Sequence, residues 1–160
     1  MPSRRAWRNV GRTRIELCES AVDPDWLRLR QALWPDCPRE QHLADMRSYV
    51  ADQRRCANFL AYSAASDAIG LAEVSVRSDY VNGTETSPVA FLEGLYVVPH
   101  ARRKGVGSAL VAAACHWGRS AGCREIASDA LLDNSTSHVM HRALGFEETE
   151  RVVYFRRKLA

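Results

Sequence analysis

The sequence contains no uninterrupted hydrophobic run that approaches the roughly 20 residues a membrane-spanning helix needs. The first 14 residues carry five arginines, but the apolar segment that would follow them in a secretory signal is missing. We therefore expect a chain that neither crosses a membrane nor carries a secretory signal.

Cysteine occurs in an odd number and in no paired motif. The five residues are Cys18, Cys37, Cys56, Cys115 and Cys123. Wide spacing without a Cys-x-x-Cys pair predicts reduced thiols in a cytoplasmic protein rather than a disulfide framework. His138 and His141 are spaced to share one helix face, but no third ligand accompanies them, so we expect no metal site.

The net charge of +3 hides an uneven distribution of charge along the chain. Residues 1–14 contain no acid, whereas residues 15–101 contain 13 acidic and 7 basic residues. A body of that sign would repel phosphate, which disfavours nucleic-acid binding. Length and composition are those of one globular unit, so we predict a single domain over residues 13–160 and a flexible basic extension over residues 1–12.

The spacing of hydrophobic residues predicts a mixed α/β fold. Asp23-Pro24 is typical of a helix start, and Trp26, Leu29 and Leu33 then recur at helical spacing. The predicted order is strand, two helices, three strands, helix, strand, helix and a long closing strand. The ten segments are 13–18, 24–34, 38–52, 58–62, 69–77, 89–99, 106–121, 124–128, 135–144 and 146–159.

A basic loop with two glycines follows the most apolar strand. It reads Arg102-Arg103-Lys104-Gly105-Val106-Gly107-Ser108. Glycines let successive backbone N–H groups turn towards one volume, and a helix start adds donors, so a pyrophosphate fits this loop. The Gly-Lys-Ser/Thr of a Walker loop is absent, and Leu110 stands where a dinucleotide fingerprint needs glycine. The alternative is a solvated basic turn.

Val97–Pro99 followed by Arg102-x-x-Gly105-x-Gly107 resembles the signature of the Gcn5-related N-acetyltransferases. The segment from Asn134 to Ala143-Leu144-Gly145-Phe146 resembles the closing motif of the same superfamily. The resemblance implies a mixed, mostly antiparallel sheet with helices on both faces, and a central strand followed by a pyrophosphate loop and a helix. It also implies acetyl-CoA as co-substrate.

A closer resemblance, to the bacterial aminoglycoside 6′-N-acetyltransferases, rests on motifs spread along the chain. These are Leu33-Trp34-Pro35, Asp79-Tyr80-Val81-Asn82-Gly83, Ser87-Pro88, Phe91-Leu92-Glu93-Gly94, Gly122-Cys123-Arg124-Glu125, Ala127-Ser128-Asp129 and Gly145-Phe146-Glu147-Glu148-Thr149-Glu150. It implies an aminoglycoside acceptor, antibiotic resistance, a bacterial cytoplasmic location and a homodimer.

The resemblance also assigns residues to the two substrates. The positions that match the acceptor site are Trp34, Tyr80, Glu93, Asp129 and Glu150. The positions that match the acetyl-CoA site are Leu95, Tyr96, Val97, Arg102, Arg103, Lys104, Gly105, Val106, Gly107, Ser108 and Asn134.

Glu93 also stands out on physical grounds, because it lies inside a strand that is otherwise fit for burial. An unpaired buried carboxylate costs several kcal/mol, so Glu93 needs either a cationic partner or a catalytic role. We expect it to accept the proton of the acceptor amine, through a water, as the amine attacks the thioester. The alternative is an ion pair with an arginine.

Structural alternatives stay open for the other implied acceptor residues. Asp129 would serve as a helix cap or turn residue, and Glu150 as part of a solvated strand face. Trp34 and Tyr80 would serve as packing residues. His141 stands where many superfamily members carry a tyrosine thought to protonate the leaving thiolate, and its alternative is a packing or hydrogen-bonding role.

Three other functions compete with acetylation of an aminoglycoside. The first keeps the donor and acetylates a protein amine or a small polyamine. The second is a non-catalytic sensor that binds acyl-CoA. The third, which we rank last, is a nucleic-acid-binding module that uses the basic extension.

Overall fold

Six strands form one sheet in chain order. The computed structural model describes residues 4–10 and 13–159, and for residues 4–10 it describes the backbone only. The strands are β1 (Arg4–Val10), β2 (Thr13–Cys18), β3 (Cys56–Tyr62), β4 (Ala68–Arg77), β5 (Val89–Val97) and β6 (Ile126–Ala127). Neighbours pair antiparallel except β5 and β6, which are parallel, so the sheet is mixed and mostly antiparallel as predicted.

Four α-helices accompany the sheet within the described residues. They are α1 (Pro24–Leu33), α2 (Arg39–Ala51), α3 (Val106–Ser120) and α4 (Ser135–Ala143). Helix α1 begins where predicted, because the Asp23 carboxylate accepts hydrogen bonds from the N–H groups of Asp25 and Trp26 at 3.0 and 3.1 Å. It ends before Pro35, which disfavours the helical conformation in Trp34.

Side chains alternate along the strands and contribute to two hydrophobic cores, one on each face of the sheet. On β3, Phe59 points into the core beneath α3, and Leu60 points into the core beneath α1 and α2. Helix α3 contributes Val106 and Leu110 to the first core, and α1 contributes Trp26 to the second. Helices therefore cover both faces, as the resemblance implies.

The pairing of β4 with β5 is interrupted at Glu93. Glu73 on β4 pairs with Gly94, and the next residue, Val74, pairs with Leu92. Glu93 is therefore an extra residue with no partner of its own, which is a β-bulge. Such bulges bend a strand and redirect a side chain, so the bulge accounts for a charged residue in this strand.

Beyond the bulge, one edge of β5 has no strand beside it in the described chain. Strand β6 pairs with β5 only at Ala90 and Phe91. The edge of Gly94–Val97 that faces away from β4 can therefore offer backbone hydrogen bonds to a ligand. The strand predicted to be central is the fifth of six.

The N-terminal boundary differs from the prediction. Arg4–Val10, which the sequence places in the basic extension, forms β1 and pairs with β2. The sheet thus begins before residue 13. The remainder of the predicted extension, residues 1–3 and 11–12, lies outside the described residues. A flexible extension over residues 1–12 and a single domain over residues 13–160 stay predictions.

The predicted closing strand over residues 146–159 is wrong. Helix α4 ends at Ala143, Gly145 follows with a φ of +88°, and Phe146 donates its N–H to the carbonyl of His141 at 3.0 Å. After that turn the chain has no strand pairing, and residues 147–159 are exposed. β-branched and aromatic residues such as Val152, Val153 and Tyr154 favour a strand, but a strand also needs a neighbour, which the pattern does not identify.

No described helix is both long and apolar enough to span a membrane.

Candidate functional site

Glu93 is held in its bulge by two side chains of β4. Ser75 Oγ donates to Glu93 Oε1 at 2.5 Å, and Arg77 Nη2 lies 2.8 Å from Oε2 and 3.0 Å from Oε1. This is the arginine ion pair that the sequence left as the alternative. The Glu93 side chain is nevertheless 27% exposed, so water can reach the carboxylate and proton acceptance is compatible with the pair.

A cleft of about 710 Å³ opens beside Glu93. Its walls carry four carboxylates, from Asp36, Asp45, Glu73 and Glu93, and one guanidinium, from Arg30. An excess of negative charge in a concave site attracts cations. The aromatic rings of Trp34 and Tyr49 also line it, and rings of this kind bind both sugar faces and ammonium groups. The cleft therefore suits a polycationic ligand with apolar surface.

Trp34 is close to Glu93 because the next residue on β5 is glycine. A Cβ on Gly94 would lie 2.6 Å from Trp34 Cη2 and 2.8 Å from Cζ2, both too close for real atoms. Only a glycine lets the indole rest against the strand at this point. The predicted acceptor residues Trp34 and Glu93 are thus brought to the same cleft.

A buried ion pair forms the inner wall of the cleft, and the sequence reasoning missed it. Arg30 Nη1 lies 2.7 Å from each carboxylate oxygen of Glu73, and Trp26 Nε1 donates to Glu73 Oε1 at 2.6 Å. Arg30 Nη2 donates to Asp45 Oδ2 at 2.8 Å, and Arg30 Nε donates to His42 Nδ1 at 3.3 Å. Each Arg30 nitrogen therefore has an acceptor.

The pair could have been found by the reasoning applied to Glu93. Arg30 lies midway between Trp26 and Trp34 on the spacing that marks the buried side of α1. Glu73 interrupts the apolar run of β4, where its neighbours are fully buried. Charged residues in such positions need partners, and two of them predict each other.

Burial shifts the acid–base properties of this wall. It raises the pKa of Glu73, and the Arg30 guanidinium and Trp26 N–H oppose that rise. Burial, together with the negative charges of Glu73 and Glu93, also raises the pKa of the Tyr49 phenol. Tyr49 therefore stays protonated at neutral pH and can act in the cleft as a hydrogen-bond donor.

Tyr80 lies on the loop between β4 and β5, and its side chain is 75% exposed. Val81 anchors the loop by packing with Val89 and Phe91. At the far end of the loop, Glu125 accepts the N–H of Thr86 at 2.7 Å and also its hydroxyl. The loop that presents Tyr80 is thus fixed by a small core and by one carboxylate.

Glu150 and Asp129 are exposed, and their positions follow from their neighbours. Thr149 packs against Gly83 of the Tyr80 loop, so Glu150 lies next to that loop. Asp129 follows Ser128, whose hydroxyl donates to the Leu92 carbonyl at 3.2 Å, one residue before Glu93. Neither residue lines the cleft of Trp34 and Glu93. Asp129 does not begin a helix.

His141 is engaged through both ring nitrogens. Nδ1 lies 2.8 Å from the carbonyl of Ser137, and Nε2 lies 2.9 Å from Ser128 Oγ. The ring also packs edge-on against Phe146, with centroids 5.3 Å apart. These contacts are the hydrogen-bonding and packing role that the sequence left open, and they tie α4 to the segment after β6.

The basic loop has the backbone geometry of an anion site. Gly105 precedes α3 with φ +82°, a conformation that strains other residues, and no side chain caps the helix. The first N–H groups of α3, including those of Gly107 and Ser108, lack intrahelical acceptors. The Arg103 and Lys104 side chains are exposed beside them, which adds positive charge to the same end of the helix.

The loop is fastened to the strand that carries Glu93. Arg102 Nε donates to the Val97 carbonyl at 2.8 Å, and its guanidinium lies 5.9 Å from the Tyr96 ring centroid. Leu95, Tyr96 and Val97 are half-buried on the part of β5 that has the open edge. Asn134, the remaining predicted acetyl-CoA residue, caps α4 by accepting the Ser137 N–H at 3.0 Å.

Among the described side chains, no group of three or more histidine, cysteine, aspartate or glutamate residues is arranged to hold a metal ion.

Residues 24–146 match the acetyltransferase (GNAT) family. Two curated relatives are both called aminoglycoside N(6′)-acetyltransferase type 1. The protein from Acinetobacter genomosp. 13 is 53% identical over 135 residues, which are 84% of this chain and 91% of the relative. The protein from Acinetobacter haemolyticus is 52% identical over 145 residues, which are 91% of this chain and 98% of the relative.

Solved structures agree with these relatives. AAC(6′)-Iy in complex with the bisubstrate analogue CoA-S-monomethyl-acetylneamine superimposes with a TM-score of 0.87 at 43% identity, covering 93% of this chain and 100% of that one. The ligand-free aminoglycoside 6′-N-acetyltransferase AAC(6′)-IG from Acinetobacter haemolyticus superimposes with a TM-score of 0.86 at 49% identity, covering 91% and 99%.

The Glu125 anchor predicts a pH-dependent loop. Hydrogen bonds from the Thr86 hydroxyl, then from the Thr86 and Glu85 N–H groups, hold the pKa of Glu125 below its usual value. The anchor is therefore complete above the usual carboxyl pKa and is lost as the pH falls through the lowered one. We expect Glu125→Gln to speed hydrogen–deuterium exchange at Glu85 and Thr86 at neutral pH. Wild-type protein should show the same loosening once the pH falls below the lowered pKa of Glu125.

The control for that measurement is Glu147→Gln, which removes an exposed carboxylate outside the loop. Equal exchange at Glu85 and Thr86 in the Glu125→Gln and wild-type proteins would show that the loop does not depend on Glu125.

Proposed function

The chain belongs to the acetyltransferase (GNAT) family, and we propose that it is an aminoglycoside 6′-N-acetyltransferase. It is an acyltransferase that moves the acetyl group of acetyl-CoA to the 6′-amino group of an aminoglycoside. Acetylation replaces a cationic ammonium group by a neutral amide, so the antibiotic loses a charge and the host gains resistance.

The observation that carries this proposal is the position of Glu93 between two regions of opposite charge. Glu93 stands in the wall of a cleft that holds four carboxylates. The same strand leads, through Val97, into the basic loop at Arg102–Ser108. A polycationic acceptor and an anionic donor would therefore approach the same point from two sides.

Five residues are proposed to bind the acceptor. Trp34 offers an aromatic face beside Glu93, and Glu93 itself attracts the reacting amine. Tyr80, Asp129 and Glu150 would bind the more distant rings, and the contact of Thr149 with Gly83 supports placing Tyr80 and Glu150 together. Ammonium groups that reach Asp129 or Glu150 would gain a charge-assisted hydrogen bond.

Glu93 is proposed as the general base. An alkylammonium group is protonated at pH 7, and only the neutral amine can attack. Glu93 would accept that proton through a water, while the nitrogen forms its bond to the thioester carbonyl. Backbone N–H groups near Tyr96 and Val97 would stabilise the oxyanion. Collapse then breaks the carbon–sulfur bond, which leaves the amide and the coenzyme A thiolate.

The donor is proposed to lie along the open edge of β5 and over the start of α3. Leu95–Val97 would pair with the pantetheine arm through their backbone groups. The N–H groups of Gly105–Ser108 and the charges of Arg102, Arg103 and Lys104 would hold the pyrophosphate. The Asn134 amide would contribute a donor from the start of α4.

The fate of the leaving thiolate is the remaining chemical step. A thiol has a pKa of about 8.5, so the coenzyme A thiolate is an adequate leaving group without a general acid. His141 stays the predicted general acid, and to act it would exchange the Ser128 hydroxyl for the thiolate at Nε2.

We also propose that the protein works in the bacterial cytoplasm. All five cysteines are free thiols, as expected in a reducing compartment. Burial raises the pKa of Cys18 to about 12 and raises the pKa values of Cys56, Cys115 and Cys123. These four thiols are therefore weak nucleophiles and have no part in the transfer.

A homodimer is the proposed assembly, and the segment after Glu150 supports it. Val153, Tyr154, Phe155 and Leu159 are at least 76% exposed. Patches of this kind on a soluble chain mark a surface that is covered in the assembly. The outer edge of β6 is also unpaired within the described chain, and unpaired edges accept added strands. A second copy could supply both partners.

The proposed acceptor predicts which aminoglycosides the protein will acetylate, measured as the release of coenzyme A from acetyl-CoA. Aminoglycosides with a 6′-amine should cause release of thiol from acetyl-CoA, and matched compounds with a 6′-hydroxyl should cause far less, because a neutral amine is a much stronger nucleophile towards a thioester than an alcohol. Production of the chain should raise the inhibitory concentration of the 6′-amino compounds for a susceptible host. Thiol release with peptides or polyamines alone would support the alternative acceptors, and saturable acetyl-CoA binding without any release would support a sensor.

Replacing the general base predicts a loss confined to turnover. Glu93→Gln should lower kcat by about 10²- to 10⁴-fold, the usual contribution of a general base, and leave the KM for acetyl-CoA within about twofold. Arg77→Gln is the matched control, because it breaks the same ion pair but keeps the carboxylate. Equal losses in the two variants would mean that Glu93 acts only through the ion pair.

The proposed dimer predicts that substitutions in the exposed segment will halve the mass of the particle in solution without changing the fold. Tyr154→Ser with Phe155→Ser should convert the dimer to a monomer in light scattering, since the exposed rings would no longer contribute apolar contact. The control is Leu131→Ser with Leu132→Ser, another exposed apolar pair. A monomeric wild-type protein at assay concentrations would contradict the proposal.

A further inference from the structure

The position of the Trp34 indole is set by a cation as well as by Gly94. The guanidinium carbon of Arg30 lies 4.8 Å from the Trp34 ring centroid, within the range of a cation–π interaction. The backbone of Gly94 lies against the same indole. The ring that flanks Glu93 therefore contacts both Arg30 and Gly94.

Arg30 can hold the indole in place because hydrogen bonds to two other elements hold its own guanidinium. Its side chain is 5% exposed, and its nitrogens bond to Glu73 on β4 and to Asp45 and His42 on α2. A guanidinium with an acceptor at each of its three nitrogens loses little further freedom when it stacks on a ring. The Arg30 side chain thus connects α1 to α2 and β4, and it reaches β5 through the Trp34 indole.

We propose that Arg30 is a positioning residue for the acceptor: it fixes the Trp34 indole beside Glu93 and so determines how tightly the acceptor binds. The inference rests on the proposed function, since it assumes that the acceptor contacts Trp34. Arg30 acts through the indole and takes no part in the chemistry. Its loss should therefore weaken binding of the acceptor and spare the acetyl-CoA site at the other end of β5.

The test must remove the cation without leaving Glu73 buried and unpaired. Arg30→Met with Glu73→Gln does so, because the glutamine oxygen still accepts the Trp26 N–H and carries no charge. Asp45 keeps access to water, since its side chain is 36% exposed. Arg30→Lys is the second variant, because it retains the charge but not the planar stack. Arg28→Met, at an exposed position of the same helix, is the control.

The expected result is a rise of about tenfold in the KM for a 6′-amino aminoglycoside, with kcat and the KM for acetyl-CoA within about twofold of wild type. Arg30→Lys should give a smaller rise in the same constant, and Arg28→Met should give none. Introduced into Trp34→Leu, which removes the aromatic ring, the Arg30→Met and Glu73→Gln pair should add less than about twofold, because residues that act through one contact are not additive.

Three results would overturn the inference. The first is an acceptor KM that matches the Arg28→Met control, the second is an equal rise with and without Trp34, and the third is a parallel loss in kcat and in both KM values. Wild-type enzyme is assayed first with the same aminoglycoside. If the wild-type enzyme does not turn over, the proposed function is refuted. If it turns over normally and the Arg30 variants have the same acceptor KM as wild type, only the role of Arg30 is refuted.

Discussion

The antiparallel pairing of β4 with β5 is the interaction on which the rest of the site depends. It supplies core residues on both faces and, at its one irregular point, releases Glu93 from the ladder. Because β4 satisfies only one edge of β5, the other edge from Gly94 onward can serve a substrate. A strand paired along both edges would be more stable but could not offer its backbone to a ligand.

Each strand of this pairing carries one carboxylate, Glu73 on β4 and Glu93 on β5, and each carboxylate has its own arginine. Glu73 and Arg30 are almost fully buried, whereas Glu93 and Arg77 are partly exposed. Burial makes the first pair a rigid part of the wall, since breaking it would leave a charge without water. Exposure lets the second pair exchange with solvent, which the proposed proton transfer at Glu93 requires. The two pairs have similar chemistry and serve different purposes because their access to water differs.

Much of the fold follows from local patterns in the sequence. The Asp23-Pro24 start of α1, the glycine loop before α3 and the apolar run of β5 all have local physical causes, and the structure contains each of them. The closing strand does not, because its formation depends on a partner that the residues themselves do not specify. Residues 4–10 differ in the opposite direction. Their basic composition predicts an extension outside the fold, but they form a strand that pairs with β2.

The site divides in the same way. Glu93 could be predicted because a charge in an apolar run requires an explanation, and Arg30 and Glu73 could have been predicted by the same reasoning. The bulge at Glu93 could not, because register depends on two strands together. The resemblance implies that Trp34 faces a sugar, yet only the structure shows that its indole also contacts a guanidinium and a glycine.

Cys37 is partly exposed, and of the five thiols it is the one that lines the acidic cleft. The chain therefore carries a natural attachment point in the lining of the proposed acceptor cleft. A small environment-sensitive dye on that sulfur would report the arrival of a ligand as a change in emission. No cysteine would have to be engineered elsewhere.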